Sequence, residues 1–237
     1  MPKKIIKPNS VHNGDCLELF QFIKKSSIDM ILCDLPFGHT KNTWDVPLQL
    51  DILWNEYKRI LKPKGIIILH GIQPFSSFLI NSNPKMFKYS LIWQKTTPTG
   101  FLNVKKRPMM THEDINIFFN ELPTYNPQKS LKIDGSERYP TSVLTFKTDK
   151  QKEHYHPCQK PIKLLEYLIS TYSNEGDIVL DNCCGSGSSL LAASNLNRKY
   201  IGIEKDEKFY NISKMRVNKV RRENILNWIL KFGKENK

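Results

Sequence analysis

Four consecutive residues, Asp34-Leu35-Pro36-Phe37, bring together a carboxylate, two backbone carbonyls beside a rigid proline, and an aromatic ring. That set can hold a planar, amino-bearing base. The oxygens accept from exocyclic N–H groups, and the ring stacks on the face of the base. An Asp-x-Pro turn is also an ordinary way to leave a strand, so the tetrapeptide alone is a weak signal. Its position sharpens the reading. It directly follows Ile28-Asp29-Met30-Ile31-Leu32-Cys33, a short β-branched apolar run that reads as a buried strand. Open α/β sheets place their ligands just beyond the carboxyl ends of such strands.

A second strand pattern, Asp177-Ile178-Val179-Leu180-Asp181, runs into Asn182-Cys183-Cys184-Gly185-Ser186-Gly187 and then a helical pattern from Ser188. Glycines here allow positive φ and a close backbone approach to a ligand. A third strand pattern, Tyr200-Ile201-Gly202-Ile203-Glu204, ends in an acid 23 positions after Asp181. In nucleoside-binding βαβ units an acid at about 20 residues accepts from ribose hydroxyls. The full Gly-x-Gly-x-x-Gly fingerprint is absent, since position 190 is Leu, and no Gly-Lys-Ser/Thr occurs. A nucleoside cofactor without a phosphate chain fits better than a nucleoside triphosphate. An ordinary strand–turn–helix has the same outline.

A third element is His156-Pro157-Cys158-Gln159-Lys160-Pro161. Together the three resemble the S-adenosylmethionine-dependent DNA amino-methyltransferases, the N6-adenine/N4-cytosine family. The catalytic element comes first and the cofactor element last, as in the permuted β group. The resemblance covers roughly residues 10 to 215 and is weakest between about 120 and 150, where the family varies its target-recognition segment. It implies one Rossmann-like domain over 1–237. The catalytic half is about 10–120, the cofactor half about 156–215, and 121–155 is a target-recognition insertion. It also implies that S-adenosyl-L-methionine is the cofactor. Asp181, Gly185 and Gly187, with Cys183 beside them, would lie along its methionine part. Lys160 would approach its carboxylate, Glu204 its ribose, and Asp15 with Cys16 its adenine edge. Asp15 doubles as a good helix start.

The chemistry implied is direct. Asp34 takes one amino hydrogen of the target base and the carbonyl of Leu35 takes the other. The nitrogen lone pair is then turned toward the methyl group. Pro36 stiffens the turn and Phe37 stacks on the base. The base must first leave the duplex. Two departures from the family pattern stand out: Leu35 where Pro is usual, and Phe37 in place of Tyr. Asp at the first position favours adenine over cytosine in the family. The alternatives are an N4-cytosine enzyme, a catalytically silent DNA-binding subunit of the same fold, and a glutamine side-chain methylase. The last usually carries Asn at the position of Asp34.

Composition agrees with a polyanionic partner. The chain has 36 Lys plus Arg against 23 Asp plus Glu, a net charge of +13, and phosphate contacts dominate nucleic-acid affinity. The segment Thr96 to Pro108 reads as a long polar loop in which Phe101 precedes Lys105, Lys106 and Arg107, cations suited to a phosphate backbone. Double-stranded DNA is the expected partner. A cognate restriction endonuclease and a homodimer are further candidates. His154, His156 and Cys158 alternate but lack zinc-ligand spacing, so no metal is expected. Five cysteines without a secretion signal argue against a disulfide framework. Met1-Pro2-Lys3-Lys4 begins with charges, no apolar stretch of signal-peptide length follows, and no run suits a membrane span, so the cytoplasm is the expected location.

The elements that must position these groups alternate. A helix is expected after Asn13-Gly14-Asp15, through Leu17, Leu19, Phe20 and Ile23. Another is expected over Leu48 to Leu61, stopped at Pro63, with short or amphipathic ones over Phe75–Ile80 and Lys163–Tyr172. Strands are expected at 28–33, 66–69, 89–93, 115–119, 177–181 and 200–204. A basic helical pattern with Ile212, Met215 and Val220 follows the last strand. Such alternation predicts a doubly wound, mostly parallel sheet covered on both faces.

Overall fold

The structure, a computed structural model, describes residues 5–38, 47–131, 135–148, 155 and 159–232, with side chains of the last helix described as far as Val220. Strand Ser10–Asn13 (β1) enters a single helical turn, Cys16–Leu19 (α1), and then a 3₁₀ turn over Phe20–Phe22. The helix expected here is therefore shorter and tighter, although Phe20 and Ile23 are buried as its pattern required. Strand Ile28–Cys33 (β2), helix Leu50–Ile60 (α2) and strand Leu61–Gly71 (β3) form a βαβ unit with parallel strands. In α2 the buried residues Leu53, Trp54, Tyr57 and Ile60 recur at helical spacing.

Helix Phe75–Ser82 (α3) leads to a long hairpin, Phe87–Thr99 (β4) and Met110–Phe118 (β5). The two-residue strands Ser130–Leu131 (β6) and Glu137–Arg138 (β7) make a small ribbon, and Val143–Phe146 (β8) follows. Helix Ile162–Tyr172 (α4), strand Ile178–Asp181 (β9), helix Ser188–Asn195 (α5), strand Lys199–Glu204 (β10) and helix Glu207–Phe232 (α6) complete the order. Among the described residues the main sheet has eight strands in the order β1-β10-β9-β2-β3-β5-β4-β8. The first five run parallel and β5 alone runs against its neighbours. This is the doubly wound, mostly parallel sheet that the pattern predicts.

Side-chain alternation sends successive strand residues to opposite faces. Ile31, Cys33, Ile67 and Leu69 pack under α1, α2 and α3. Met30, Leu32, Ile66 and Ile68 pack under α4 and α5, with Leu164, Leu168 and Leu190. One expectation needs correction. The loop read from Thr96 begins only at Gly100, because the exposed residues Thr96–Thr99 continue β4 past a bulge. Within residues 121–155, β8 joins the main sheet as a parallel partner of β4. On the last helix Met215 is exposed. Among the described residues no helix is long and apolar enough to cross a membrane.

Candidate active site

β2 and β9 are neighbours, but the chain leaves them in opposite directions, from β2 through α2 to β3 and from β9 through α5 to β10. A crevice must open where the connections part, beyond the carboxyl ends of the strands. A cavity of about 510 Å³ lies there. It is lined by Asp34 to Phe37 after β2, by Asp181 to Ser186 after β9, by Glu204 at the end of β10, and by Gly14 to Leu17 after β1. Lys160 lines it from the segment before α4. The volume falls within the usual range for small-molecule and cofactor sites.

On the catalytic side Asp34 is held by one oxygen. Lys160 Nζ donates to Asp34 Oδ2 at 2.5 Å and approaches Glu113 Oε2 at 3.2 Å. Glu113 Oε1 in turn pairs with Lys95 Nζ at 2.6 Å. The result is a mostly buried chain of alternating charge, Lys95–Glu113–Lys160–Asp34. Asp34 Oδ1 is buried and has no hydrogen-bond partner. Burial raises the Asp34 pKa above the usual carboxylate value, and Lys160 opposes the rise. Burial acts the same way on Glu113, but Lys160 and Lys95 together outweigh it and hold the group down at about 2. Leu35 is buried in the core, and Phe37 leans on Phe75 with ring centroids 4.6 Å apart while still lining the cavity.

On the other side the turn after β9 is braced from several directions. Asp181 accepts from Ser189 Oγ and, at 3.1 Å, from the N–H of Cys183. Its burial raises its pKa to about 6 against those two hydrogen bonds. Gly187 has φ +81°, and a Cβ there would lie 2.9 Å from the Cβ of Ser213 on α6, so only glycine fits. The missing third glycine of the dinucleotide fingerprint is replaced from the opposite side, since Gly202 on β10 makes room for Leu190 and Cys184. Glu204 accepts from Gly185 N at 2.7 Å and from Asp206 N at 2.8 Å, one bond to each oxygen. Each oxygen keeps a lone pair for a further donor. Asp15 caps α1 through Leu17 N at 2.9 Å and pairs with Lys205 at 3.0 Å, while Cys16 beside it is buried. A glycine turn with positive φ, a rim acid and a mostly apolar wall suit a nucleoside cofactor.

The described cysteines are all free. Burial pushes the Cys33 thiol up to about 12, so it stays protonated at neutral pH. No group of His, Cys, Asp and Glu among the described residues could hold a metal ion. His154, His156, Pro157 and Cys158 lie outside the described residues.

A family model described as DNA methylase, that of the N6/N4 methyltransferases, matches residues 28–215. The chain belongs to this family of DNA methyltransferases. It is 28% identical over 241 residues to the Type II methyltransferase M2.LlaDCHI of Lactococcus lactis subsp. cremoris, covering 87% of this chain and 88% of that one. Among solved structures, the M1.HpyAVI–SAM complex is similar with a TM-score of 0.69 and 24% identity, over 88% of this chain and 98% of that one. The PvuII DNA methyltransferase, cytosine-N4-specific, gives a TM-score of 0.72 at 20% identity, over 96% and 94%. At these identities the two structures speak to the fold.

In this methyltransferase the described residues singled out in the sequence line one cavity, except for Gly187 behind the turn and for Phe101 and the cations of the β4–β5 hairpin. Lys105, Lys106 and Arg107 are exposed, as is Phe101 in a 3₁₀ turn at the tip. The hairpin still belongs to the same side. β4 is parallel to β3 through the antiparallel β5, so it ends at the edge where Asp34 stands. Met110 lies four residues beyond Asp114, the partner of the last β3 residue. At about 3.4 Å per residue the hairpin reaches about 14 Å past the sheet rim.

Several residues that build the site escaped the motifs. Arg216 on α6 donates to the carbonyl of Ser186 at 2.6 Å and to its hydroxyl at 2.9 Å, clamping the glycine turn. Tyr57 on α2 donates to Asn182 at 2.6 Å. Lys95, Glu113 and His70 could have been found from alternation. Each occurs two residues from an apolar residue on the same face: Trp93, Ile115 and Ile68. A polar side chain ending an otherwise apolar strand face marks the rim of the sheet.

Proposed function

We propose that this methyltransferase transfers the methyl group of S-adenosyl-L-methionine to the exocyclic N6 of an adenine flipped out of double-stranded DNA. The observation that carries this is the unpartnered Asp34 Oδ1. A buried carboxylate oxygen without a donor is costly unless a ligand supplies one, and an amino N–H does so. With Oδ2 fixed by Lys160, the carboxylate cannot swing away. The Leu35 carbonyl accepts the second amino hydrogen, and Phe37, steadied by Phe75, stacks on the base. Alignment of this kind supplies much of the acceleration in a direct transfer.

The cofactor, when bound, supplies an electrophilic sulfonium methyl. The Gly185–Gly187 turn and Asp181 would hold its methionine part, Glu204 its ribose, and Asp15 with Cys16 its adenine edge. Lys160 lies within the same cavity, so its ammonium can also face the cofactor carboxylate while it holds Asp34. Asp34 accepts a hydrogen bond first and takes the proton after transfer. Phe101, Lys105, Lys106 and Arg107 would contact the DNA backbone beside the displaced base. The described part of 121–155 would read sequence from the small β6–β7 ribbon. Three of its four aromatics are already used in packing: Tyr125 on Tyr172, Phe146 on Tyr167 and Tyr155 on Arg216. Tyr139 is exposed beside Lys129. A cognate restriction endonuclease and a homodimer remain part of this reading. The likeness to the cytosine-N4-specific PvuII enzyme keeps N4 of cytosine as the second reading.

Purified protein with methyl-labelled cofactor and genomic DNA should incorporate label, and single-molecule sequencing should place it on adenine within a fixed sequence. Asp34→Ala should abolish incorporation while cofactor affinity and folding persist. Label incorporated by Asp34→Ala would overturn the assignment of the catalytic acceptor, and label on cytosine would select the second reading.

A further inference from the structure

His70 is 1% exposed, and neither ring nitrogen has a hydrogen-bond partner. It is the last residue but one of β3 and lines the same cavity as Asp34. Its register is informative. Leu69 pairs with Cys33, so His70 stands one step further out, level with Asp34 on the adjoining strand. On the other flank His70 pairs with Ile115, two residues from Glu113. Alternation puts His70 on the face of Ile66 and Ile68, the face that also carries Leu32, Ile115 and Trp93. A polar row therefore caps the apolar face of four adjoining strands: Lys95, Glu113, His70 and Asp34.

Every other member of that row has a charged partner, although Glu113 Oε2, like Asp34 Oδ1, makes no hydrogen bond. Lys95 holds Glu113, and Lys160 holds Asp34 and Glu113. His70 alone is buried with its whole hydrogen-bonding capacity unused. Burial and the nearby Lys160 charge push its pKa down to about 3 against the pull of Glu113. At neutral pH the ring is neutral and offers one N–H donor and one acceptor. Side by side, Asp34 Oδ1 is an acceptor lacking a donor and His70 is a donor lacking an acceptor. That pair is complementary to an H–N–C=N edge, the edge formed in adenine by the amino group and N1, and in cytosine by the amino group and N3.

We propose that His70 recognises the target base, donating its ring N–H to the ring nitrogen adjacent to the amino group while Asp34 accepts from the amino group. This rests on the base-methylation reading above. It makes His70 a specificity residue that the motifs do not contain. The histidine is retained at a folding cost, because an unpartnered buried polar group destabilises the free enzyme.

The test compares the wild type with His70→Leu and His70→Gln on duplexes carrying adenine, 1-deazaadenine or 7-deazaadenine at the methylated position. The wild type should lose at least about tenfold in kcat/KM when N1 is replaced by C–H, the scale of one hydrogen bond, and should be little affected at position 7. His70→Leu should lose about as much on adenine and show no further loss with 1-deazaadenine. The comparison between variants cancels the altered basicity of the analogue. His70→Gln, which keeps an N–H donor, should restore part of the discrimination. If cytosine is the target, 3-deazacytosine takes the place of 1-deazaadenine. His70→Leu should also keep cofactor affinity within about twofold and melt no lower than the wild type, since it removes an unsatisfied group. A variant that melts lower marks a structural histidine and overturns the proposal. So does wild-type methylation whose discrimination against the 1-deaza base survives in His70→Leu. Absence of any methyl transfer by the wild type sinks the underlying reading and this one with it.

Discussion

Lys160 Nζ lies 2.5 Å from Asp34 Oδ2 and 3.2 Å from Glu113 Oε2, so two carboxylates share one buried ammonium. In the proposed transfer Asp34 acts as an acceptor in its ionised form. Burial raises its pKa and Lys160 opposes the rise. Lys160→Met should therefore raise the Asp34 pKa further, and the acid limb of the kcat profile should move to higher pH. Leaving two partly buried carboxylates without this cation should also lower stability at neutral pH. That loss should shrink in acid, where the carboxylates take up protons. A pH–rate profile with an unmoved acid limb would show that Lys160 serves the cofactor and not Asp34.

Asp181 gives a pH dependence of a different kind. Its folded pKa is about 6, raised by burial above the usual 3.8. A raised carboxyl pKa favours the fold below the unfolded value, and the advantage is lost as pH rises through about 6. Asp181→Asn should therefore melt no lower than the wild type at pH 8, while the wild type gains relative to it on acidification. Cofactor binding should run the opposite way. If ionised Asp181 faces the cofactor ammonium, affinity should be level above about pH 6, weaken below it, and be low and pH-independent in Asp181→Asn. Calorimetric titrations between pH 5 and 8 measure this. A flat wild-type profile would place the ammonium elsewhere.

Much of this arrangement was legible in the sequence because it depends on local signals. A short apolar run followed by Asp34 marks a strand end, and Gly185-Ser186-Gly187 marks a tight turn. Alternation of strands and helices then forces both onto one sheet edge. What escaped depends on contacts across long sequence separations. Lys95 and Glu113 carry no motif that links them to Asp34, and only the strand order β2-β3-β5-β4 brings them near it and Lys160. Arg216 looked like one of many cations on a basic helix, yet it is buried on the carbonyl of Ser186. The extent of β4 was misjudged because Thr96–Thr99 are exposed, and an edge hairpin standing clear of the core shows no apolar alternation.

Glu204 has two tasks that mutation can separate. Its oxygens accept from the backbone of Gly185 and Asp206, and the same carboxylate lines the cavity. Glu204→Ala should weaken cofactor binding by about 1–3 kcal/mol, the scale for hydrogen bonds to a charged acceptor. It should also lower the melting temperature, because two backbone donors lose their acceptor. DNA affinity should barely change. Glu204→Gln keeps an oxygen for one backbone donor and should recover part of the stability but little of the affinity. Unchanged cofactor affinity in Glu204→Ala would show that the ribose partner lies elsewhere.

The β4–β5 hairpin makes the most direct prediction about DNA. Phe101 is 72% exposed and Leu102 98%, and the three cations that follow are exposed as well. No packing requires these side chains, so their removal should leave the fold intact. If Lys105, Lys106 and Arg107 contact phosphates, replacing all three by Ala should weaken binding to every DNA sequence to a similar degree, because backbone contacts carry little sequence information. Each lost contact should flatten the log–log salt dependence by about 0.9, so the slope should fall by roughly 2–3 for the triple variant. Changes beside the β6–β7 ribbon, such as Tyr139→Ala, should instead alter which sequence is methylated and leave the slope nearly unchanged. Binding measured at several salt concentrations for the wild type and the triple variant decides the point. Two parallel salt plots would remove the hairpin from the DNA face and move that face to the basic helix α6.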